Sequence, residues 1–278
     1  MNKTLLAIAC SFAFCVTTQA RDCDYEKSLD INLATGSADN FVLDAGAGSL
    51  TIMGVKGLEE VQIKAQACAS SENILEDISL IEGNRGKSIT LRTKTPDLNS
   101  WTGNRYAFID LQIQMPASMA AEVDDGSGSL EIENIAAVTL DDGSGSLEIR
   151  HISGNVSVED GSGSIDIADI GGTLELEDGS GEINIDGVEG SVLIDEDGSG
   201  SIEIANVSRD VQIDEDGSGE IRVTDVGGNV TVGRDGSGSI NVKSVAGDFN
   251  VERDGSGDIS YASIQGEVSV PDDRRQLK

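Results

Sequence analysis

Histidine occurs once in the 278 residues, proline three times, and Phe, Trp and Tyr together make up 3% of the chain. One histidine leaves little for imidazole catalysis and nothing for a polyhistidine zinc site. So little proline excludes a proline-rich linker and a collagen-like chain. Basic residues are also scarce, 19 against 50 acidic, which gives a net charge of −31 with the histidine neutral. A polyanion of this kind does not bind a nucleic-acid backbone unaided. Past the first twenty residues no apolar run reaches eighteen, so the mature chain is predicted to have no membrane-spanning helix. What is abundant is glycine, 34 residues, set among Ile, Val and Leu.

Residues 1–20 read as a secretory signal peptide. Lys3 supplies a positive start, Leu5 to Val16 an apolar run broken only by Ser11, and Thr18-Gln19-Ala20 the small residues that precede a cleavage site. The mature chain is expected to begin at Arg21, in the periplasm or outside a bacterial cell. Cys10 and Cys15 leave with the leader, so Cys23 and Cys68 remain as one pair in an oxidising compartment. They are expected to form a disulfide that ties the mature N-terminus to the strand-like segment 60–67; two free thiols are the alternative.

The dominant feature is repetition. Asp-Gly-Ser-Gly begins at Asp125, Asp142, Asp160, Asp178, Asp197, Asp216, Asp235 and Asp254, at intervals of 17, 18, 18, 19, 19, 19 and 19. A fixed period near twenty marks a stacked repeat architecture. In the copy from Asp197 to Glu215, Ile202 and Ile204 alternate with polar neighbours, and so do Val211 and Ile213. Each copy therefore reads as two short strands, one joined through the glycine turn and the other through a variable turn. One copy alone buries too few apolar side chains to offset the entropy of ordering it, so copies must stack. The reading favours an all-β, single-stranded parallel β-solenoid with 17–19 residues per coil. An antiparallel meander is the rival.

Residues 21–120 form an N-terminal β-rich cap with a degenerate repeat, residues 121–270 the solenoid of eight copies, and residues 271–278 a polar tail. Within the first region, alternation marks strands near Leu29–Leu33, Phe41–Leu43, Leu50–Ile52, Val61–Ile63, Ile89–Leu91 and Phe108–Ile113. Asp44-Ala-Gly-Ala-Gly-Ser-Leu-Thr-Ile is a worn copy of the repeat phrase, and 71–77 and 94–105 read as loops or a short helix.

Ile109–Ile132 runs through an alternating strand, Met115-Pro116-Ala117, a second strand and the first Gly-Ser-Gly turn. With the repeated Gly-Ser-Gly-(Ser/Glu/Asp)-(Ile/Leu) that follows, this resembles the bacterial putative-adhesin, or toast-rack, family of β-strand-repeat proteins, over about Leu43 to Val270. The resemblance implies an exported, right-handed β-solenoid acting in adhesion, sensing or scaffolding. It brings no catalytic residues with it.

No catalytic constellation emerges from the residues either. His151 stands alone in a variable turn, and the repeats lack the long insertions that would wall a cleft. The chain is therefore not expected to be an enzyme, and no cofactor is assigned. The sharpest feature is the aspartate ladder Asp125, Asp142, Asp160, Asp178, Asp197, Asp216, Asp235 and Asp254, flanked by Asp124, Asp141, Glu159, Glu177, Glu196 and Glu215 and then by Arg234 and Arg253. Each ladder aspartate is expected to cap its own turn, with solvent screening the repulsion. Calcium bridging between coils is the second reading of the same residues. The function expected is an adhesin-like binding or scaffolding module for an envelope or extracellular protein or glycan. A calcium-dependent carbohydrate-binding or carbohydrate-modifying solenoid is the alternative.

Overall fold

The computed structural model describes residues 23–98 and 105–271. The leader, Arg21, and the tail beyond Pro271 lie outside the described residues. The chain begins with β1 (Tyr25–Ala34), β2 (Asn40–Asp44), β3 (Leu50–Val55) and β4 (Glu60–Ala69). A single-turn helix α1 (Glu72–Asp77) follows, then β5 (Ser79–Arg85), β6 (Ser88–Lys94) and β7 (Ala107–Pro116). The helix starts where Ser71 Oγ accepts the amide of Ile74, which supplies one of its unsatisfied first-turn donors with a partner.

The repeat region then alternates between two sheets. The first four copies give β8 (Ala120–Asp125), β9 (Gly128–Glu133), β10 (Ala137–Asp142), β11 (Gly145–Ile152), β12 (Val156–Asp160), β13 (Gly163–Ile170), β14 (Leu174–Asp178) and β15 (Gly181–Val188). The next four give β16 (Val192–Asp197), β17 (Gly200–Val207), β18 (Val211–Asp216), β19 (Gly219–Val226), β20 (Val230–Asp235), β21 (Gly238–Val245), β22 (Phe249–Asp254) and β23 (Ile259–Ile264), closed by β24 (Val268–Ser269). Odd strands from β9 to β23 stack in one sheet and even strands from β8 to β24 in the other, every pair parallel, with a register shift where β14 meets β16. The copies are thus coils, and the antiparallel meander is excluded.

Each coil has the same interior. In the copy from Asp197, the side chains of Ile202, Ile204, Val207, Val211 and Ile213 are all buried, stacked above Ile183, Ile185, Val188, Val192 and Ile194 of the coil before. Stacking like on like makes one continuous core along the rod. Growth of the period from 17 to 19 falls at two places. One residue is added in the variable corner, where Gly154 has no counterpart between Ala136 and Ala137. The other is a bulge inside the second sheet, where Asp195 is extra and the pairing shifts between Leu176 and Glu177. Both additions lie outside the core columns, so the register of the apolar residues survives.

The stack reaches back into residues 21–120. Strands β2 and β3 form a coil that lies beneath β8 and β9, joined by the worn repeat phrase. Chain order and spatial order part company here: β7 pairs with β3, β6 with β2, and the antiparallel strands β4, β1 and β5 lie outermost. Cys23 and Cys68 form a disulfide with Cα atoms 5.8 Å apart, fastening the start of edge strand β1 to β4. Among the described residues no helix is long and apolar enough to cross a membrane.

Candidate functional site

Three ladders run the length of the rod, and each is built by repetition of one position in the coil. The first is set by the glycine turn. At Gly200 φ is +152°, and a Cβ there would lie 1.4 Å from the carbonyl oxygen of Gly181 in the coil below. Backbones approach so closely only where no side chain intervenes, which is why the second glycine recurs in every copy. The turn is held by its aspartate: Ser162, Ser180 and Ser199 donate their amides to Oδ1 of Asp160, Asp178 and Asp197 at 3.3, 3.1 and 3.2 Å. These are Asx turns, as the sequence predicts.

The expectation that solvent screens this ladder is corrected by the structure. Asp125, Asp142, Asp160, Asp178, Asp197, Asp216 and Asp235 are 1–6% exposed and point into the rod, and Asp254 is half-buried. A signal for this was present in the early copies. Alternation through Val138, Leu140 and Asp142, and through Leu174, Leu176 and Asp178, already places the aspartate on the apolar side. In the 19-residue copies the bulge at Asp195 and Asp214 breaks that alternation and hides it. Burial, reinforced by neighbouring carboxylates, raises the Asp125 and Asp216 carboxyls to about 7 and those of Asp142 and Asp235 to about 6. Asp178 rises to about 6 by burial, opposed by its turn amides. Among the described residues no group of three or more His, Cys, Asp or Glu is arranged to hold a metal ion.

The second ladder lies on the outer face of the even-strand sheet. Asp44, Asp124, Asp141, Glu159, Glu177, Glu196 and Glu215 stack in register, one per coil. Arginines bracket it at both ends. Arg92 Nε meets Asp44 at 2.8 Å, and Arg234 Nη1 meets Glu215 at 3.3 Å, with Arg253 stacked beyond. Arg234 therefore relieves charge at the end of the ladder. Partial burial raises the Asp124 carboxyl, with Asp44 and Asp141 adding to it.

The third ladder, at the variable corner, went unrecognised in the sequence. Asn134, His151, Asp169, Asn206, Asp225, Ser244 and Ser263 all have φ between 55° and 61°, and Gly187 takes the same place at 78°. This left-handed residue reverses the alternation, so that the residue after it (Ile152, Ile170 or Val207) turns inward. The signal was the recurrence of Asn, Asp or Gly just before an isolated apolar residue. A neighbouring position adds bonds between coils: Asp210 Oδ1 accepts the Asn229 amide at 2.7 Å, Asn229 Oδ1 that of Asp248 at 2.8 Å, and Asp248 Oδ1 that of Glu267 at 2.7 Å.

A shallow groove of about 420 Å³ follows this corner where Gly187 omits a side chain, lined by His151, Asp169, Glu189 and Asn206. His151 Nε2 lies 3.2 Å from Asp169 Oδ2, with both side chains more than half exposed. His151 thus has a carboxylate partner at the edge of an open groove.

The chain is similar to several solved structures at low identity. One is described as a putative lipid binding protein from Parabacteroides distasonis, 16% identical over 89% of this chain and 98% of that one, with a TM-score of 0.41. A putative adhesin from Parabacteroides merdae is 11% identical, covering 91% and 97%, with a TM-score of 0.31. A putative cell adhesion protein from Clostridium sporogenes is 13% identical, covering 88% and 98%, with a TM-score of 0.27. No protein-family model matches the sequence, and no curated protein matches it significantly.

Proposed function

We propose that the chain is an exported, non-catalytic rod that binds or scaffolds through its sides, an adhesin-like module of the bacterial periplasm or cell surface. The observation that carries this reading is the bracketed outer ladder of seven carboxylates from Asp44 to Glu215, held in register by the sheet itself. Strand spacing sets the charges ~4.8 Å apart on a surface that cannot rearrange without breaking backbone bonds. A pre-ordered array of this kind loses little entropy when it engages a partner with regularly placed cationic or hydrogen-bonding groups. The disulfide supports export, since such bonds persist in oxidising compartments. The shallow corner groove does not exclude water as an active site must, which supports a role in binding.

The test is retention of native envelope material on the immobilised full-length protein, compared with a Glu159→Gln, Glu177→Gln, Glu196→Gln variant of equal stability. Retention should fall in the variant, and neither protein should depolymerise envelope polysaccharides. Polysaccharide cleavage lost on replacing His151 or Asp169 would overturn the reading.

A further inference from the structure

The interior aspartates are left unused by that reading, and their geometry poses a chemical problem. Eight carboxyls, from Asp125 to Asp254, stack in parallel register along the inside of one corner. Both oxygens of Asp142, Asp216 and Asp235, and Oδ2 of Asp125, Asp160, Asp178 and Asp197, are buried without a well-placed hydrogen-bond donor. The facing strands of the other sheet present Leu130, Leu147, Ile165, Ile183, Ile202, Ile221, Ile240 and Ile259, none of which can supply charge or a proton. On the aspartates' own strands the preceding residues are Asp124, Asp141, Glu159, Glu177, Glu196 and Glu215, all acidic, and then Arg234 and Arg253, which lie on the outside. Below Asp125 the column ends on buried Ala45. No cationic side chain therefore faces the column from within the described residues.

The carboxyls instead meet one another. Asp142 lies within hydrogen-bonding reach of both Asp125 and Asp160. At the other end Asp216 reaches Asp197 and Asp235, and Asp235 reaches Asp254. Asp178, at the coil where the register shifts, has no such link. Two ionised carboxylates do not approach this closely in an apolar interior. A carboxylic acid and a carboxylate do, because the O–H of one donates to the other in a short, strong hydrogen bond.

We propose that the interior column is a proton-binding ladder, in which Asp125–Asp142–Asp160 and Asp197–Asp216–Asp235 share protons that isolated aspartates would have released, making proton uptake part of folding. The direction of the carboxyl shifts from Asp125 to Asp235, upward by burial first, agrees with this. The sign of the linkage follows. The folded chain binds more protons than the unfolded one between about pH 4 and the folded values of about 6 to 7. The column's stabilisation is therefore full at the acid end of that window and is lost as the pH rises through 6 to 7.

Calorimetric unfolding of the full chain at pH 6, in buffers of different ionisation enthalpy, counts the protons released. We expect about two or more per chain, with Tm falling from pH 5 to about pH 7 and levelling off above it. In Asp142→Asn with Asp216→Asn, amides that still donate and accept replace two titrating groups. The release should then drop by about one proton per substitution and the pH slope should flatten. Glu177→Gln on the outer ladder should leave the count unchanged. Release of no protons by the native chain would overturn the proposal, whether or not the asparagine variant folds. So would a Tm at pH 8 that calcium restores to its pH 5 value while sodium chloride at matched ionic strength does not, since a cation would then occupy the column.

Discussion

Replacing Gly200 with alanine tests whether the glycine turn is a stacking requirement or merely a flexible corner. A Cβ on Gly200 falls 1.4 Å from the oxygen and 2.6 Å from the carbon of the Gly181 carbonyl, where ordinary contact begins at 3.4 Å. The two backbones must therefore part by roughly 2 Å, or φ must leave +152° and the turn be lost. Parting them breaks the Gly181 amide bond to the Ser199 carbonyl, 2.9 Å long, at a cost of about 0.5–1.5 kcal/mol. Holding alanine at that φ adds about 1–3 kcal/mol. With the packing lost around Ile202, the total is about 3–5 kcal/mol. Gly187 is the internal control. Its φ of +78° is also left-handed, but a Cβ there would meet Asp169 no closer than 3.3 Å from Oδ1 and 3.5 Å from its backbone, and Asn134 and Asn206 occupy the equivalent place. Gly187→Asn should be neutral or stabilising by up to about 1 kcal/mol, through a less free unfolded chain. Urea unfolding of the three proteins at one pH measures both effects. A Gly200→Ala variant within about 1 kcal/mol of the native chain, or a Gly187→Asn variant equally damaged, would refute the argument.

Excising the whole copy Asp197–Glu215 joins Glu196 to Asp216 and brings Gly181 opposite Gly219, so the product should be a shorter rod with a single cooperative melt; excising residues 197–206 alone should leave a protease-sensitive chain, and equal tolerance of the two would contradict the coil topology. Reducing the Cys23–Cys68 bond, which closes a loop of 45 residues, should remove up to about 4 kcal/mol from the anchoring of β1, read as faster hydrogen exchange over 25–34 while the repeat coils stay protected. Glu177→Gln removes an exposed charge stacked between Glu159 and Glu196, and should stabilise by about 0.5 kcal/mol at low salt and by nothing measurable in 1 M sodium chloride; an unchanged benefit at high salt would show that repulsion is not its source.

The sequence by itself determined the repeat unit. Period-two alternation placed Ile202, Ile204, Val211 and Ile213 on strands facing one core, and the recurrence of Asp-Gly-Ser-Gly located the tight turn, because these signals come from residues adjacent along the chain. The pairing of Cys23 with Cys68 followed from there being one pair left after the leader. What the tertiary structure decided depends on residues a full coil or more apart. Parallel stacking settled coil against meander, since a hairpin and a coil share the same local pattern. The threading of β3 between β7 and β9 has no local signature at all, because β7 lies more than fifty residues further along the chain. The aspartates are the instructive case. As a turn residue each is read as a solvated cap, and the Asx bond at Asp178 confirms the turn. Whether its carboxyl meets water depends on which face the preceding strand buries, and on the neighbouring coils closing over it. Asp142 and Asp178 followed the apolar alternation, while the bulge at Asp195 disguised the same arrangement at Asp197. Burial is a property of the stack, and only the stack shows that the chain's most regular charges lie inside it.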